Sequence, residues 1–240
     1  PFDMDQEEVS HIIADYDLLS VPVVDNAKKL LGIVTVDDVI DVIEEEVTED
    51  IAHLAGTEVK INKMVDAPAH LVVRARLPWL IFALIGGLLA GSVIEFFNET
   101  LSSVVLLAIF IPVIMSMGGN VGIQSSTVFV RGIAIGEIKE PWKYFFREIK
   151  IGLLMGLLVG ITIGLIAHFW KGMPSLGFIV GASMFSTIIL ATTIGIAIPK
   201  MFDKLGVDPA ISASPFVTTI EDIMGLLIYF SIATYLFIVI

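Results

Sequence analysis

No cysteine occurs in the 240 residues, which excludes a disulfide framework, a thiolate metal site and a cysteine nucleophile. There is no Gly-x-x-x-x-Gly-Lys-Ser/Thr phosphate loop to support ATP hydrolysis, no His-Glu-x-x-His and no Gly-x-Ser-x-Gly. The four histidines, His11, His53, His70 and His168, are scattered along the chain. The sequence therefore offers no basis for an enzyme. Charge is scarce over residues 71–240, which hold nine acids and ten bases, whereas residues 1–70 hold 17 acids against four lysines. All of the net charge of −12 thus lies in the first 70 residues. Such a surface repels nucleic acid and anionic headgroups and attracts cations.

What fills the rest is apolar. Hydrophobic residues make up 56% of the chain and the mean hydropathy is +0.90, above the roughly 45–50% of an ordinary soluble domain. Five apolar runs, roughly 77–97, 101–130, 147–169, 176–199 and 215–239, each exceed or approach the ~20 residues that cross a bilayer at about 1.5 Å per residue. The expected fold is an all-α polytopic membrane protein with five transmembrane helices. If the N-terminal segment is cytoplasmic, the inner flanks carry Arg74, Arg76, Arg131, Lys139, Lys143, Arg147, Lys150, Lys200 and Lys204, and the outer flanks only Lys171. Cytoplasmic flanks collect Lys and Arg, so the expectation is a multi-pass protein of the inner or plasma membrane, N-terminus cytoplasmic and C-terminus outside.

Residues 1–56 read as a small partial α/β piece. Val9, Ile12, Ile13 and Tyr16 form a helical stripe, Ser20–Val24 and Leu30–Val36 two strands around the turn Asp25-Asn26-Ala27-Lys28. Asp37 is the expected cap of a helix that turns Val39, Ile40, Ile43, Val47, Ile51 and Leu54 inward and acids outward. So short a piece buries little core alone and needs a partner surface. Residues 57–76 read as an amphipathic connector and 77–240 as the membrane part.

Within the second run, residues 112–124 combine Pro112, Gly118 and Gly119 with Ser116, Asn120 and Gln124, and Thr127 continues the series. Proline is expected to kink the helix and free a carbonyl near Ala108, and the glycines to weaken it again. Amides and hydroxyls at helical spacing put a polar face inside a membrane span. Two readings fit: close helix packing with amides bonded across helices, or the lining of a solute path. Small residues recur four apart as Gly152, Gly156, Gly160 and Gly164, and again as Gly87–Gly91 and Gly177–Gly181, a pattern that lets helix backbones approach. The fifth run places Pro215, Thr218, Asp222, Gly225 and Tyr229 on one face, with Glu221 about 100° away. A carboxylate at this depth costs a few kcal/mol on insertion scales and usually faces water or a partner. No basic residue lies in the apolar core to neutralise Asp222, which favours a cation path over a purely structural Asp.

These motifs resemble the MgtE magnesium channels. The resemblance rests on Arg76-Leu-Pro-Trp79, Pro112-x5-Gly118-Gly-Asn-x-Gly-x-Gln124, Asp208-Pro-Ala and Pro215-Phe-x-Thr-x2-Glu-Asp222-x2-Gly-Leu-x-Ile-Tyr-Phe230. Val21-Pro-Val-Val-Asp and Leu31-Gly-Ile-Val-Thr-Val-Asp-Asp38 resemble the second half of a CBS domain, which precedes the membrane part in that family. The resemblance covers essentially the whole chain and places its first residue inside the second of two CBS repeats. It implies a homodimer, embedded in membrane lipid, with a Mg²⁺ pore between subunits that closes when cytosolic Mg²⁺ is high. By position it implies Asp222 as the pore metal site, with Asn120, Gln124, Gly119 and Thr218 as pore lining. It implies Asp5, Glu7, Asp17, Asp38, Asp41, Glu46, Glu49, Asp50 and Asp208 as regulatory Mg²⁺ ligands.

The physics of the ion agrees. Mg²⁺ sheds water reluctantly and is usually held by one or two carboxylates with several waters retained; one Asp per subunit beside amides suits a hydrated ion. Soft-metal ligands are missing, which disfavours copper or a dedicated zinc site. A divalent ion entering across 100 mV gains roughly twice 2.3 kcal/mol, enough to drive uptake without ATP. The alternatives are an ion-coupled divalent cation exchanger, in which Asp222 takes up protons in turn, and a membrane-anchored cation sensor.

Overall fold

A computed structural model describes residues 1–56, 67–212 and 215–239. Half of the expected connector, residues 57–66, lies outside the described residues. The chain divides into two compact units, Pro1–Ala75 and Arg76–Ile240.

In the first unit, α1 (Gln6–Asp15) is followed by β1 (Ser20–Val24), β2 (Leu30–Thr35) and α2 (Val36–Leu54). The strands form an antiparallel pair with Ser20 opposite Thr35, and a register shift falls between Val23 and Val24. The turn is pinned by Asp25, whose side chain accepts from the backbone N–H groups of Ala27 and Lys29 at 2.8 and 2.9 Å. Two sequence expectations are corrected here. The N-cap of α2 is Thr35, not Asp37, which sits in the first turn. Of the six apolar residues expected to turn inward, only Val39 is buried. Ile40, Ile43, Val47 and Ile51 are 43–59% exposed, and Tyr16 of the first helix is also exposed. Two strands and two helices provide too little cover for that stripe.

The second unit is helical. Its elements are α3 (Ala69–Phe96), which begins in the last residues of the first unit, then α4 (Asn98–Ser103), a 3₁₀ helix at Val105–Phe110 and α5 (Ile111–Ala134). After these come α6 (Pro141–Lys171), α7 (Pro174–Lys204), α8 (Pro209–Ser212) and α9 (Pro215–Val239). Among the described residues, five segments are long and apolar enough to cross a membrane: α3, the 3₁₀ helix with α5, α6, α7 and α9. Helices outrun the apolar runs at several ends, because polar turns continue a helix that hydropathy does not register. Thus α3 begins eight residues before the first run, and α6 six before the third.

The core centres on α7, which packs against α5, α6 and α9. Leu176, Ile179, Val180, Met184 and Ile188 of α7 meet Leu107, Phe110 and Ile114 from the second span and Leu226, Tyr229 and Phe230 from α9. The expected glycine packing is present between α6 and α7. A Cβ added to Gly164 would stand 2.8 Å from the Gly177 carbonyl oxygen, and one on Gly160 2.8 Å from that of Gly181. The two backbones are therefore in direct contact, joined by Gly172 (φ +66°) and Met173 alone. The pattern fails at Gly87 and Gly91, which face open space. In α3 it is Gly86 that meets another helix, at Thr219, while Trp79 and Phe82 pack on Phe216.

Candidate functional site

The stretch expected to be irregular is a regular helix. α5 runs unbroken through Gly118 and Gly119, and Pro112 sits in its first turn, where a missing N–H costs nothing. The irregularity lies just before it, as the 3₁₀ helix. The Ala108 carbonyl is not freed, since it accepts from the Ile111 N–H. The Leu107 carbonyl instead accepts a 2.9 Å hydrogen bond from the Tyr229 hydroxyl, with both residues fully buried.

Around α5 the environment divides cleanly. Ile114, Gly118, Val121, Gly122, Ser125 and Phe129 are buried in the bundle. The opposite side carries Ser116, Asn120 and Gln124, all exposed, with Thr127 half-buried. The amide and hydroxyl stripe read from the sequence is therefore one continuous outward face, at the middle of a 30-residue apolar span. Lipid supplies no hydrogen bonds to such a face.

Helix α9 lies against α5 at a short distance set by glycine. A Cβ at Gly119 would be 3.8 Å from the Thr218 methyl, and one at Gly122 2.8 Å from Val217. Asp222 is half-buried, one turn beyond Thr218 on the same side of α9. Thr218 also donates to the Pro215 carbonyl at 3.3 Å. The structure thus joins Gly119 and Thr218 directly and sets Asn120 and Asp222 beside that contact on neighbouring helices. It narrows the expected face of α9, because Gly225 and Tyr229 are buried in the bundle.

One residue of this region was not legible as a site. Glu221 is 0% exposed, and neither carboxyl oxygen has a hydrogen-bond partner. Its carboxyl group occupies the space that a side chain at Gly118 would take and lies near Gly225. The buried hydroxyl of Thr187 on α7, whose methyl is also next to Gly225, is likewise without a partner. Spacing shows only that Gly225 stands one turn from Glu221; that Gly118 is the small residue opposite is set by the packing of α5 on α9.

The expected regulatory acids fall in both units. Asp5 caps α1 by accepting from the Glu7 N–H at 2.9 Å, Glu46 accepts from Gln6 at 2.9 Å, and Asp38 accepts from the Thr35 hydroxyl at 3.0 Å. Glu7 lies 4.0 Å from His11, and Glu49 lies 3.6 Å from His53. Asp17 adopts a left-handed backbone with φ of 52°, and Asp41 is exposed on α2. Asp50 follows on the same helix, and Asp208 accepts from the Ala210 N–H at 2.8 Å in the second unit. Among the described residues, no three His, Asp or Glu side chains of one chain converge as a metal cage.

Known proteins are similar to this chain in sequence. A family model described as a divalent cation transporter, MgtE, matches residues 111–232, which span the candidate site, and a CBS domain model matches residues 1–45. The chain is 43% identical over 232 residues to the "Magnesium transporter MgtE" of Bacillus subtilis, covering 96% of this chain and 51% of that protein. It is 40% identical over 234 residues to the protein of the same name from Thermus thermophilus, covering 96% and 52%. The Enterococcus faecalis protein of that name is 41% identical over 232 residues, covering 96% and 51%. The chain spans about half the length of these curated relatives. With five apolar helices among the described residues, and with the outward polar stripe of the second and the acidic pair of the fifth inside the matched region, this all-α, multi-pass membrane chain belongs to the MgtE family of divalent cation transporters.

Proposed function

We propose that the chain forms the membrane part of a Mg²⁺ channel that admits the ion down its electrochemical gradient. One observation carries this reading: the exposed stripe Ser116–Asn120–Gln124 crosses the middle of an apolar span beside Asp222. Polar groups at that depth require water or protein around them. A second copy facing this stripe across a two-fold axis supplies both, and encloses a wet path with one Asp222 from each subunit. Asn120, Gln124, Gly119 and Thr218 line that path, and Asp222 holds the hydrated ion. The carboxylate supplies attraction while amides and hydroxyls contact the ion's retained waters. The names of the relatives, magnesium transporters, support the same choice of ion.

Gating belongs to the same proposal. The acids of residues 1–70, with Asp208, bind cytosolic Mg²⁺ between subunits, so that high Mg²⁺ favours the closed form. The absence of a one-chain cage among the described residues fits ligands shared by two chains. In this reading the N-terminus is cytoplasmic and the C-terminus outside, following the basic flanks.

The decisive test is Mg²⁺ flux into liposomes holding the purified protein, measured against voltage. Asp222→Ala is expected to abolish or severely reduce flux while the dimer still assembles. Flux near wild type in that variant would sink the pore assignment. Flux that depends on a proton gradient at fixed voltage would favour the exchanger.

A further inference from the structure

Away from the polar face of α5, the start of α6 and the end of α7 leave a groove of about 320 Å³ between them. Trp142 and Phe145 of α6 form one wall, and Ala197, Lys200, Met201 and Lys204 of α7 form the other. Four of these side chains are apolar or aromatic and two are cationic.

Lys200 is the informative member. Its ammonium is cut off from solvent and has no hydrogen-bond partner. The nitrogen lies 3.7 Å from the centre of the Trp142 ring. A ring face attracts a cation, but it does not satisfy three N–H donors as oxygens do. Buried donors in folded proteins almost always find an acceptor, so this ammonium has room for an oxygen acceptor, and its charge favours an anionic one. Lys204, one turn further on the same wall, is exposed. Among the described residues neither lysine forms an ion pair, and Asp203, which lies between them in sequence, is exposed.

The position of the groove narrows the class of anion. It lies at the ends of two spans, among the basic flanks, with Trp142 63% and Met201 51% exposed at its mouth. Aromatic and basic side chains at this level meet the headgroup region of a bilayer. A free phosphate would satisfy the lysines and leave the apolar wall unused. A phospholipid uses both.

We propose that this groove binds an anionic phospholipid, its phosphate held by Lys200 and Lys204 and its glycerol and upper acyl chain packed along Trp142, Phe145 and Met201. The site needs only the membrane-spanning reading and is independent of the ion path.

Native mass spectrometry of the purified protein, equilibrated in vesicles of equal phosphatidylcholine and phosphatidylglycerol, tests it directly. The wild type is expected to retain phosphatidylglycerol preferentially. Lys200→Gln with Lys204→Gln should lower that preference by about fivefold for each lysine removed, the usual contribution of a base at an anionic surface. Lys139→Gln with Lys143→Gln, in the neighbouring basic stretch, should lower it less, because neither side chain lines the groove. If the double variant does not fold, Lys204→Gln alone should still show the single-lysine loss. Equal retention of both lipids by the wild type, or a preference untouched by the α7 substitutions, overturns the proposal. Displacement of phosphatidylglycerol by excess inorganic phosphate assigns the groove to a soluble anion and overturns the lipid assignment.

Discussion

Glu221 and Gly118 are fitted to each other across α5 and α9, since the carboxyl group of one fills the volume the other leaves empty. Gly118→Ala therefore puts a methyl against a side chain enclosed on every side. Overpacking of this kind typically costs about 1–3 kcal/mol. The expected outcome is a lower thermal midpoint in detergent, largely restored by adding Glu221→Ala. No recovery in the double variant would mean that the glycine serves some other contact. On the outward face the expectation differs. Asn120→Ala removes a dipole from the proposed path but leaves the Asp222 charge, so Mg²⁺ flux should fall less than in Asp222→Ala. Equal losses in liposome assays would contradict that ranking. These residues also show what a sequence reveals of a site. The stripe of Ser116, Asn120 and Gln124 was legible because helical spacing alone fixes a shared face. The role of Glu221 was not, because its destination depends on which helix lies opposite, and no local pattern states that.

Among the elements, α6 and α7 stand apart because their backbones touch. At Gly164 and Gly177 a new Cβ would come within 2.6–2.8 Å of a carbonyl oxygen on the other helix, and a backbone cannot swing aside as a long side chain does. Gly177→Ala is thus expected to separate the helices and lower resistance to unfolding by SDS. Gly87→Ala and Gly91→Ala meet open space and should leave it unchanged. Identical behaviour of the two sets would refute the packing account. The same contrast explains why the motif alone misled at α3: spacing by four lets a partner approach but does not supply one. Likewise Pro112 was legible as a break, yet its outcome as a helix start rather than a kink depended on the 3₁₀ turn ahead of it. Inside residues 1–56 the strands followed from β-branched residues and the Asp25 turn. The exposed stripe of Ile40, Ile43, Val47 and Ile51 did not, since burial depends on surfaces beyond those four elements.

For the whole molecule, the proposed path needs two copies. Five spans with a polar stripe on the outside of one cannot enclose water alone, so a two-fold homodimer is expected with α5 and α9 at its axis. A strictly monomeric particle that conducts Mg²⁺ in bilayers would contradict it. In the proposed dimer the acids of the first 70 residues repel their copies over about 10 Å at ordinary ionic strength, and bridging Mg²⁺ is expected to remove that repulsion. Binding and closure are then linked in both directions: an ion that closes the channel must bind the closed form more tightly. Millimolar Mg²⁺ should reduce flux and protect α2 from protease. Joint neutralisation of Asp38, Asp41, Glu49 and Asp50 should abolish both effects. Unchanged protease sensitivity across the titration, together with unchanged flux in the neutralised variant, would end the gating proposal.

The two-residue joint between α6 and α7 bears on how the chain is made. Contacts between neighbours in sequence form with little loop-closure entropy, so this glycine-lined hairpin is ready to assemble as soon as α7 leaves the ribosome. Helix α9, which carries Glu221, is synthesised after α5, α6 and α7. By then α5 has already been made, with Gly118 leaving the space that the Glu221 carboxyl group fills. A chain truncated after residue 208 and released into the bilayer should therefore crosslink between cysteines introduced at 161 and 182, in the absence of α9. Crosslinks that form only once α9 is present would show that α9 organises the others.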